Sequence, residues 1–385
     1  MSKQKLGERT ICTHTGAVED PIYRGAVSPI YLSTSYDFID QDPKRYPRYF
    51  NTPNQEFLSK KVAALEDAEA GMLFSSGMAA ISAVMLTLLK SGDHAVIQND
   101  IYGGTRNFIE SHFKSYGIAY SFTKDLSSSS FEACIKENTK LIYVETPSNP
   151  LLKLVDLFAV AKLAKMHNIT TAIDNTFATP IVQKPLTLGI DIVIHSATKY
   201  FGGHSDISAG AVASSQAIMD QIWDLAKDFG GNLSDYSVWL LERSMKTLSI
   251  RVKAQQKNAK KIARFLEQHE AIKHVYYPGL ATHENHQLAK IQMKGFGAML
   301  SFELSNAYDT VSFLKSLQLI KPSMSLAGVE STMILPAKTS HALLSEAECK
   351  MQGISDQLIR FSVGIESKKD LIFDIKQALE NSKNK

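Results

Sequence analysis

The chain has little of what would direct it to a membrane, a nucleic acid or an oxidising compartment. Its 42 lysines and arginines nearly balance 39 aspartates and glutamates, leaving a formal charge of +3 over 385 residues. Both signs are spread along the sequence, so the basic stripe that a nucleic acid or an anionic lipid surface requires is missing. The opening "MSKQKLGERT" is polar and carries no apolar segment of signal-peptide type, and the longest oily stretch, "AAISAVMLTLL", is too short to span a bilayer. There are only three cysteines, Cys12, Cys134 and Cys349. They are odd in number and widely spaced, which argues against a disulfide framework and fits a reducing compartment. The Asn-x-Ser/Thr sequons at Asn168 and Asn232 are therefore read as chance matches. Neither a Walker motif nor a Gly-x-Gly-x-x-Gly run is present, so nucleotide binding loses its usual support. The expectation is a globular, cytoplasmic protein with no nucleic-acid or membrane partner.

What the chain does have is enough apolar residue, 44%, to bury a large core, at a length that predicts two domains or one large domain with a smaller companion. The first fifty residues are irregular and rich in proline and tyrosine, which predicts an extended arm over 1–53. From there the pattern becomes rhythmic. "QEFLSKKVAALEDAE" predicts a helix, "AGMLFSS" a strand, and "GMAAISAVMLTLLKSG" a helix closed by glycine. "HAVIQND", "KLIYVETP", "ITTAIDN" and "IDIVIHSA" read as buried strands, with "LVDLFAVAKLAKMHN" as a helix among them. This alternation predicts an α/β fold, a mostly parallel sheet covered on both faces over 54–235. A long helical stretch beginning at "SDYSVW" then opens a smaller α/β domain over 236–385. That domain has strands at "GAMLSFEL" and "LIRFSVGI", a helix at "KDLIFDIKQALEN" and a frayed "SKNK" tail.

In an open α/β sheet, ligands bind beyond the carboxyl ends of the strands. Those ends carry Asn99-Asp100, "ETPSNP", "DNTF" and "HSATK". Asp174 reads either as a cap on its own turn or as a carboxylate that keeps a heterocyclic nitrogen protonated. Lys199 reads as a solvated lysine or as an amine emerging from a buried strand, where burial disfavours its charge and a Schiff base with an aldehyde cofactor removes the difficulty. Ser76, Gly77 and Met78 lie between a strand and a helix, where N-capping and anion binding by free amides are both possible, and Ser196 and Thr198 could add hydroxyl donors. Tyr102, before two glycines, is a core aromatic or a ring that stacks on a planar ligand.

Taken together, "YPRYFN", "SSGMAA", "YGGT", "ETPSNP", "DNTFATP", "HSATKYFGGHSDISAGAV", "SLAGVES" and "LIRFSVGIE" occur in an order that resembles the Cys/Met-metabolism pyridoxal-phosphate (PLP) enzymes. That family contains cystathionine γ-synthase, cystathionine β-lyase, cystathionine γ-lyase and methionine γ-lyase. The resemblance covers nearly the whole chain and implies the type I, aminotransferase-like PLP fold with PLP as cofactor. It implies that Lys199 is the Schiff-base lysine, that Asp174 faces the pyridinium nitrogen, and that Tyr102 stacks on the ring and protonates the departing sulfur. Gly77, Met78, Ser196 and Thr198 match the phosphate cradle, and Asn149 a position beside the phenolic oxygen. Tyr46 and Arg48 match a pair that crosses a dimer interface to a neighbour's phosphate. Arg360, with Ser325 close by, matches the arginine that takes the substrate α-carboxylate. A homo-oligomer with shared active sites, typically a tetramer, is also implied.

Two departures stand out. "NTPN" is preceded by bulky Tyr49 and Phe50 where the family usually has Asn-Pro-Thr, and Met324 stands where family members acting on cystathionine by γ-chemistry often carry a glutamate. The leading expectation is a carbon–sulfur lyase acting on L-cystathionine, with cystathionine γ-synthase and then methionine γ-lyase as alternatives. A catalytically idle binding protein of the same fold is a different class, opposed by intact Lys199, Asp174, Tyr102 and Arg360. A metal site at His283 and His286 in "THENH" lacks a third ligand, so no metal is expected.

Overall fold

Short, fully apolar runs such as "HAVI" and "IVIH" have no polar face to offer water, so they form strands only where helices cover both sides. In the computed structural model, which describes residues 6–340, 342, 349–350 and 352–384, they do so. Seven strands form one sheet: β1 (Ala70–Phe74), β2 (His94–Ile97), β3 (Ala119–Phe122), β4 (Thr139–Glu145), β5 (Thr170–Asp174), β6 (Ile192–His195) and β7 (Gly210–Ser214). Their order is β1-β7-β6-β5-β4-β2-β3, parallel throughout except for β7, which is antiparallel to both neighbours. The carboxyl ends of β2, β4, β5 and β6 therefore open on one edge of the sheet.

A second sheet, in the order β10-β11-β12-β9-β8, is built from β8 (Ile272–Tyr276), β9 (Met299–Leu304), β10 (Lys321–Pro322), β11 (Thr332–Ile334) and β12 (Leu358–Ser362). Only its short β10–β11 pair is parallel. The helix Pro53–Glu66 starts where the sequence says it must. Thr52 Oγ1 accepts from Gln55 N at 3.3 Å, Gln55 Oε1 accepts from Thr52 N at 3.1 Å, and Pro53 takes the first turn. Among the described residues no helix is long and apolar enough to cross a membrane.

The structure departs from the sequence reading in several places. The arm contains a seven-residue helix, Glu8–His14, that buries Ile11 and Cys12. The helix from Gly77 ends at Leu88 on an extended Leu89 rather than on glycine. The long helical stretch is two helices, Asp235–Met245 and Leu248–Glu267, which break at Lys246 and Thr247. The tail is not frayed through 384, because Lys383 pairs with Tyr308 and Asn384 N donates to Ala307 O at 2.8 Å. Strand β7 escaped the reading because "GAVAS" is made of small residues. A Cβ at Gly210 would lie 2.1 Å from Ser76 O, so the close passage of β7 past the Ser76 loop requires glycine there.

Candidate active site

Strands β1, β4 and β5 each lead into a polar group at the open edge. β5 ends in Asp174, which is 7% exposed, and Asp174 Oδ1 accepts from Thr176 N at 3.0 Å. Thr176 Oγ1 in turn accepts from Ser196 N at 2.8 Å, tying the end of β5 to the segment after β6. β4 ends in Glu145, whose Oε2 accepts from Tyr102 N at 2.8 Å. That bond fixes the start of the helix Gly103–His112. Gly104 makes room for the Tyr102 ring, since a Cβ there would fall 2.5 Å from Tyr102 Cε1. β1 leads into Ser76, whose Oγ accepts from Ala79 N at 3.0 Å and caps the helix Gly77–Leu88.

All these groups line one cavity of about 620 Å³, together with Gly77, Met78, Asn149, Ser196, Thr198, Lys199, Met324, Ser325 and Arg360. Lys199 Nζ donates to Ser325 Oγ at 3.0 Å. Arg360 Nη2 donates to Ser325 O at 3.0 Å, and Nη1 to Asn149 Oδ1 at 3.1 Å. Ser325 and Ala327 both adopt left-handed backbone, at φ 78° and 67°, and Ala327 N donates to Ser362 Oγ at 2.7 Å. The loop is thus held in an uncommon conformation at the cavity wall.

Burial governs the charges. It pushes the Lys199 amine down from the ordinary lysine range, helped by the Arg360 cation. It lowers Arg360 to about 10. Glu145 is pushed well up by burial and by its neighbour Asp174, and Asp174 itself is raised by burial against the pull of the Thr176 hydrogen bonds. Two buried carboxyls side by side at paired strand ends call for a cation, which a protonated heterocycle beside Asp174 would supply.

The site fits PLP on the structure's own terms. A carboxylate, an amine and a helix N-terminus converge on one cavity, as a pyridine nitrogen, an aldehyde and a phosphate require. A Cβ on Gly77 would meet Ser196 Cβ at 2.9 Å and Oγ at 3.0 Å, so glycine keeps the gap between helix start and serine open. Arg360 Nε is buried with no hydrogen-bond partner among the described residues, a donor left over for a ligand.

Other residues named from sequence lie differently. The Thr198 hydroxyl is already engaged, donating to Ala209 O at 3.1 Å and accepting from Ala209 N at 2.9 Å. Tyr46 and Arg48 do not line the cavity. Tyr46 is 41% exposed, and Arg48 lies 5.9 Å from its ring centroid and donates to Lys227 O. Phe50 is buried against Phe74, 5.3 Å between centroids, so that half of the Tyr49-Phe50 departure faces the core. Met324 is 66% exposed at the cavity wall. His283 is buried, its Nδ1 accepting from Asn285 N, while His286 Nδ1 meets Pro278 O at 2.8 Å. No group of three metal-binding side chains occurs among the described residues.

The sequence reading gave no role to Glu145 or Thr176, although both stand in the strand-end motifs. The signal for Thr176 was its place two residues after Asp174, the offset of an Asx turn. A further buried pair, His195 Nε2 and Glu66 Oε1 at 2.6 Å, backs the site from beneath β6.

Comparison with known proteins agrees with this geometry. The chain is 45% identical to the cystathionine gamma-lyase of Bacillus subtilis (strain 168), over 98% of this chain and 100% of that one. It is 43% identical to the cystathionine beta-lyase of Lactococcus lactis subsp. cremoris (strain MG1363), over 97% and 98%. The crystal structure of cystathionine gamma-lyase from Lactobacillus plantarum complexed with L-serine superposes with a TM-score of 0.94 at 39% identity, covering 98% of this chain and 99% of that one. Residues 9–380 match the Cys/Met metabolism PLP-dependent enzyme family. With that match over nearly its whole length, and a cavity furnished for the cofactor, the chain belongs to the PLP-dependent enzymes of cysteine and methionine metabolism.

Proposed function

We propose that the enzyme is a carbon–sulfur lyase that removes the sulfur substituent of L-cystathionine. The observation that carries this reading is Ser325, whose hydroxyl meets Lys199 while its carbonyl meets Arg360. An α-amino acid whose carboxylate lies on Arg360 then has its Cα beside the Lys199 amine. The relatives named as cystathionine lyases, at 45% and 43% identity, support cystathionine as the thioether.

The chain's residues divide the work. Arg360, a planar fork oriented by its bonds to Asn149 and Ser325, receives the α-carboxylate through N–H groups those bonds leave unused. Lys199 takes the proton from Cα; its lowered affinity for protons, caused by burial, keeps the amine basic but not permanently charged. Bound PLP supplies the electron sink for the resulting carbanion, and Asp174 holds the proton on its ring nitrogen. Tyr102, which lines the cavity, would stack over the bound ring and supply a proton to the departing sulfur. Gly77 and Met78 amides with Ser196 and Thr198 would hold the phosphate, for which the Thr198 hydroxyl would turn from Ala209. Asn149 orients Arg360 and would lie beside the phenolic oxygen.

The position of Tyr46 and Arg48 outside their own cavity supports a second inference, that they reach a neighbouring subunit's phosphate in a homodimer, with tetramers built from such dimers. The chain divides into the arm 1–53, a cofactor domain 54–235 and a small domain 236–385, supported by the two sheets falling within 70–214 and 272–362. The cytoplasm suits a chain with so few cysteines.

Product analysis on the PLP-loaded protein tests the reading. 2-Oxobutyrate with cysteine marks cleavage at the γ-carbon, and pyruvate with homocysteine marks the β-carbon. No oxo acid from L-cystathionine, with turnover of an O-acylhomoserine plus cysteine, overturns it in favour of γ-replacement.

A further inference from the structure

The helix Gly103–His112 presents one face to the cavity, through Gly103, Arg106, Asn107 and Glu110. Among the described residues, Glu110 is the one carboxylate lining the cavity that is not sunk among strand ends. Asp174 and Glu145, the other two described carboxyl groups lining the cavity, are buried and bonded to the chain. The Glu110 side chain is 44% exposed, and its Oε1 lies 3.0 Å from Arg106 Nε. Arg106 is fixed in place: its Nη1 donates to Asn99 O at 3.0 Å, and its guanidinium lies 4.1 Å from the Phe122 ring centroid. A cation and an anion thus stand together on the cavity wall, the cation clamped to the chain and the anion paired with it and part-exposed.

Helical side chains lean toward the N-terminus, so the Glu110 carboxylate reaches back to the level of Arg106. That level is one turn, about 6 Å along the axis, beyond Tyr102. If Tyr102 marks where the sulfur leaves, the next group along a thioether-bridged diamino diacid is its distal amino-acid end, which carries both an ammonium and a carboxylate. Met324, an exposed side chain that also lines the cavity, offers no charge to it.

We propose that Glu110 is a specificity-determining residue that receives the distal ammonium of the substrate, with Arg106 holding the carboxylate in place and facing the distal carboxylate. The inference rests on the reading of the enzyme as a cystathionine lyase.

The test is steady-state kinetics of the PLP-loaded wild type and Glu110→Gln on L-cystathionine and on its analogue lacking only the distal amine. Gln keeps the shape and removes the charge. For a part-exposed ion pair the expected effect is a KM for cystathionine raised about fivefold, ~1 kcal/mol, with kcat changed less than about twofold. The analogue's KM stays level or falls, so the preference of the wild type for cystathionine over the analogue is lost. Equal changes for both compounds, or none for either, overturn the proposal. If the wild type forms no oxo acid from cystathionine, its inhibition of the wild type's turnover of L-methionine or O-acylhomoserine separates the two claims. Competitive inhibition weakened about fivefold in Glu110→Gln keeps Glu110 while the lyase reading falls, and absent or unchanged inhibition overturns both. Matching cofactor absorbance in the two proteins establishes that the variant folds and loads.

Discussion

Lys199 Nζ donates to the hydroxyl of Ser325 at 3.0 Å, on a residue whose carbonyl is held by Arg360 Nη2 at the same distance. One residue therefore sets both the amine and the carboxylate-binding fork, and its two contacts are separable. Ser325→Ala removes the hydroxyl and leaves the carbonyl. We expect kcat on L-cystathionine to fall about tenfold, the worth of one hydrogen bond to an ionisable group, with KM little changed. A rise in KM with kcat intact would place Ser325 in substrate binding instead.

Arg360 is buried; Nη1 binds Asn149, Nη2 binds Ser325, and the remaining N–H groups of the guanidinium are unused. Arg360→Lys keeps the charge but cannot make both contacts and receive the α-carboxylate. KM for L-cystathionine should rise about thirtyfold or more, and affinity for PLP, measured by the absorbance of the loaded protein, should stay within about threefold. Equal losses of both would show that the arginine supports the fold rather than the substrate.

Glu145 gives a prediction in pH. Burial and Asp174 raise its carboxyl well above the ordinary 4.5, so the folded, cofactor-free protein holds this proton more tightly than the unfolded chain does. Between the ordinary value and the raised one the unfolded chain binds fewer protons, and stability falls as pH rises through that window. Below pH 4.5 the carboxyl is protonated in both states and the penalty vanishes. Glu145→Gln keeps an oxygen for Tyr102 N and removes the titration. The cofactor-free variant should melt about 2 °C above the wild type at pH 8 and level with it at pH 4, by calorimetry. A constant difference across the range would contradict the assignment.

The arm supplies a test of subunit sharing. Arg48→Ala and Lys199→Ala should each be inactive alone, because each lacks a different part of every active site. Unfolding, mixing and refolding them together should restore up to about a quarter of wild-type activity, since a mixed dimer would hold one intact site of two. No recovery, from a mixture shown to contain mixed dimers, would confine Arg48 to its own subunit.

The cofactor end of the site was legible in the sequence because strand ends concentrate it: Asp174 and Lys199 each follow an oily run that could only be a buried strand. What stayed hidden depended on pairing across the fold. Glu145 looked like any strand-end acid until its bond to Tyr102 N, forty-three residues away in the chain, was seen. Arg106 and Glu110 carry no sequence signal of a site, because helical spacing alone does not reveal that their face borders a cavity. β7 was missed for lack of bulky residues, and the break at Lys246 and Thr247 because no proline or glycine marks it.

The most direct test of the account is oxo-acid release from L-cystathionine by PLP-loaded wild type beside Lys199→Ala. The account predicts stoichiometric oxo acid and thiol from the wild type, and at least about a thousandfold less from the variant. Comparable release from the two proteins would contradict it.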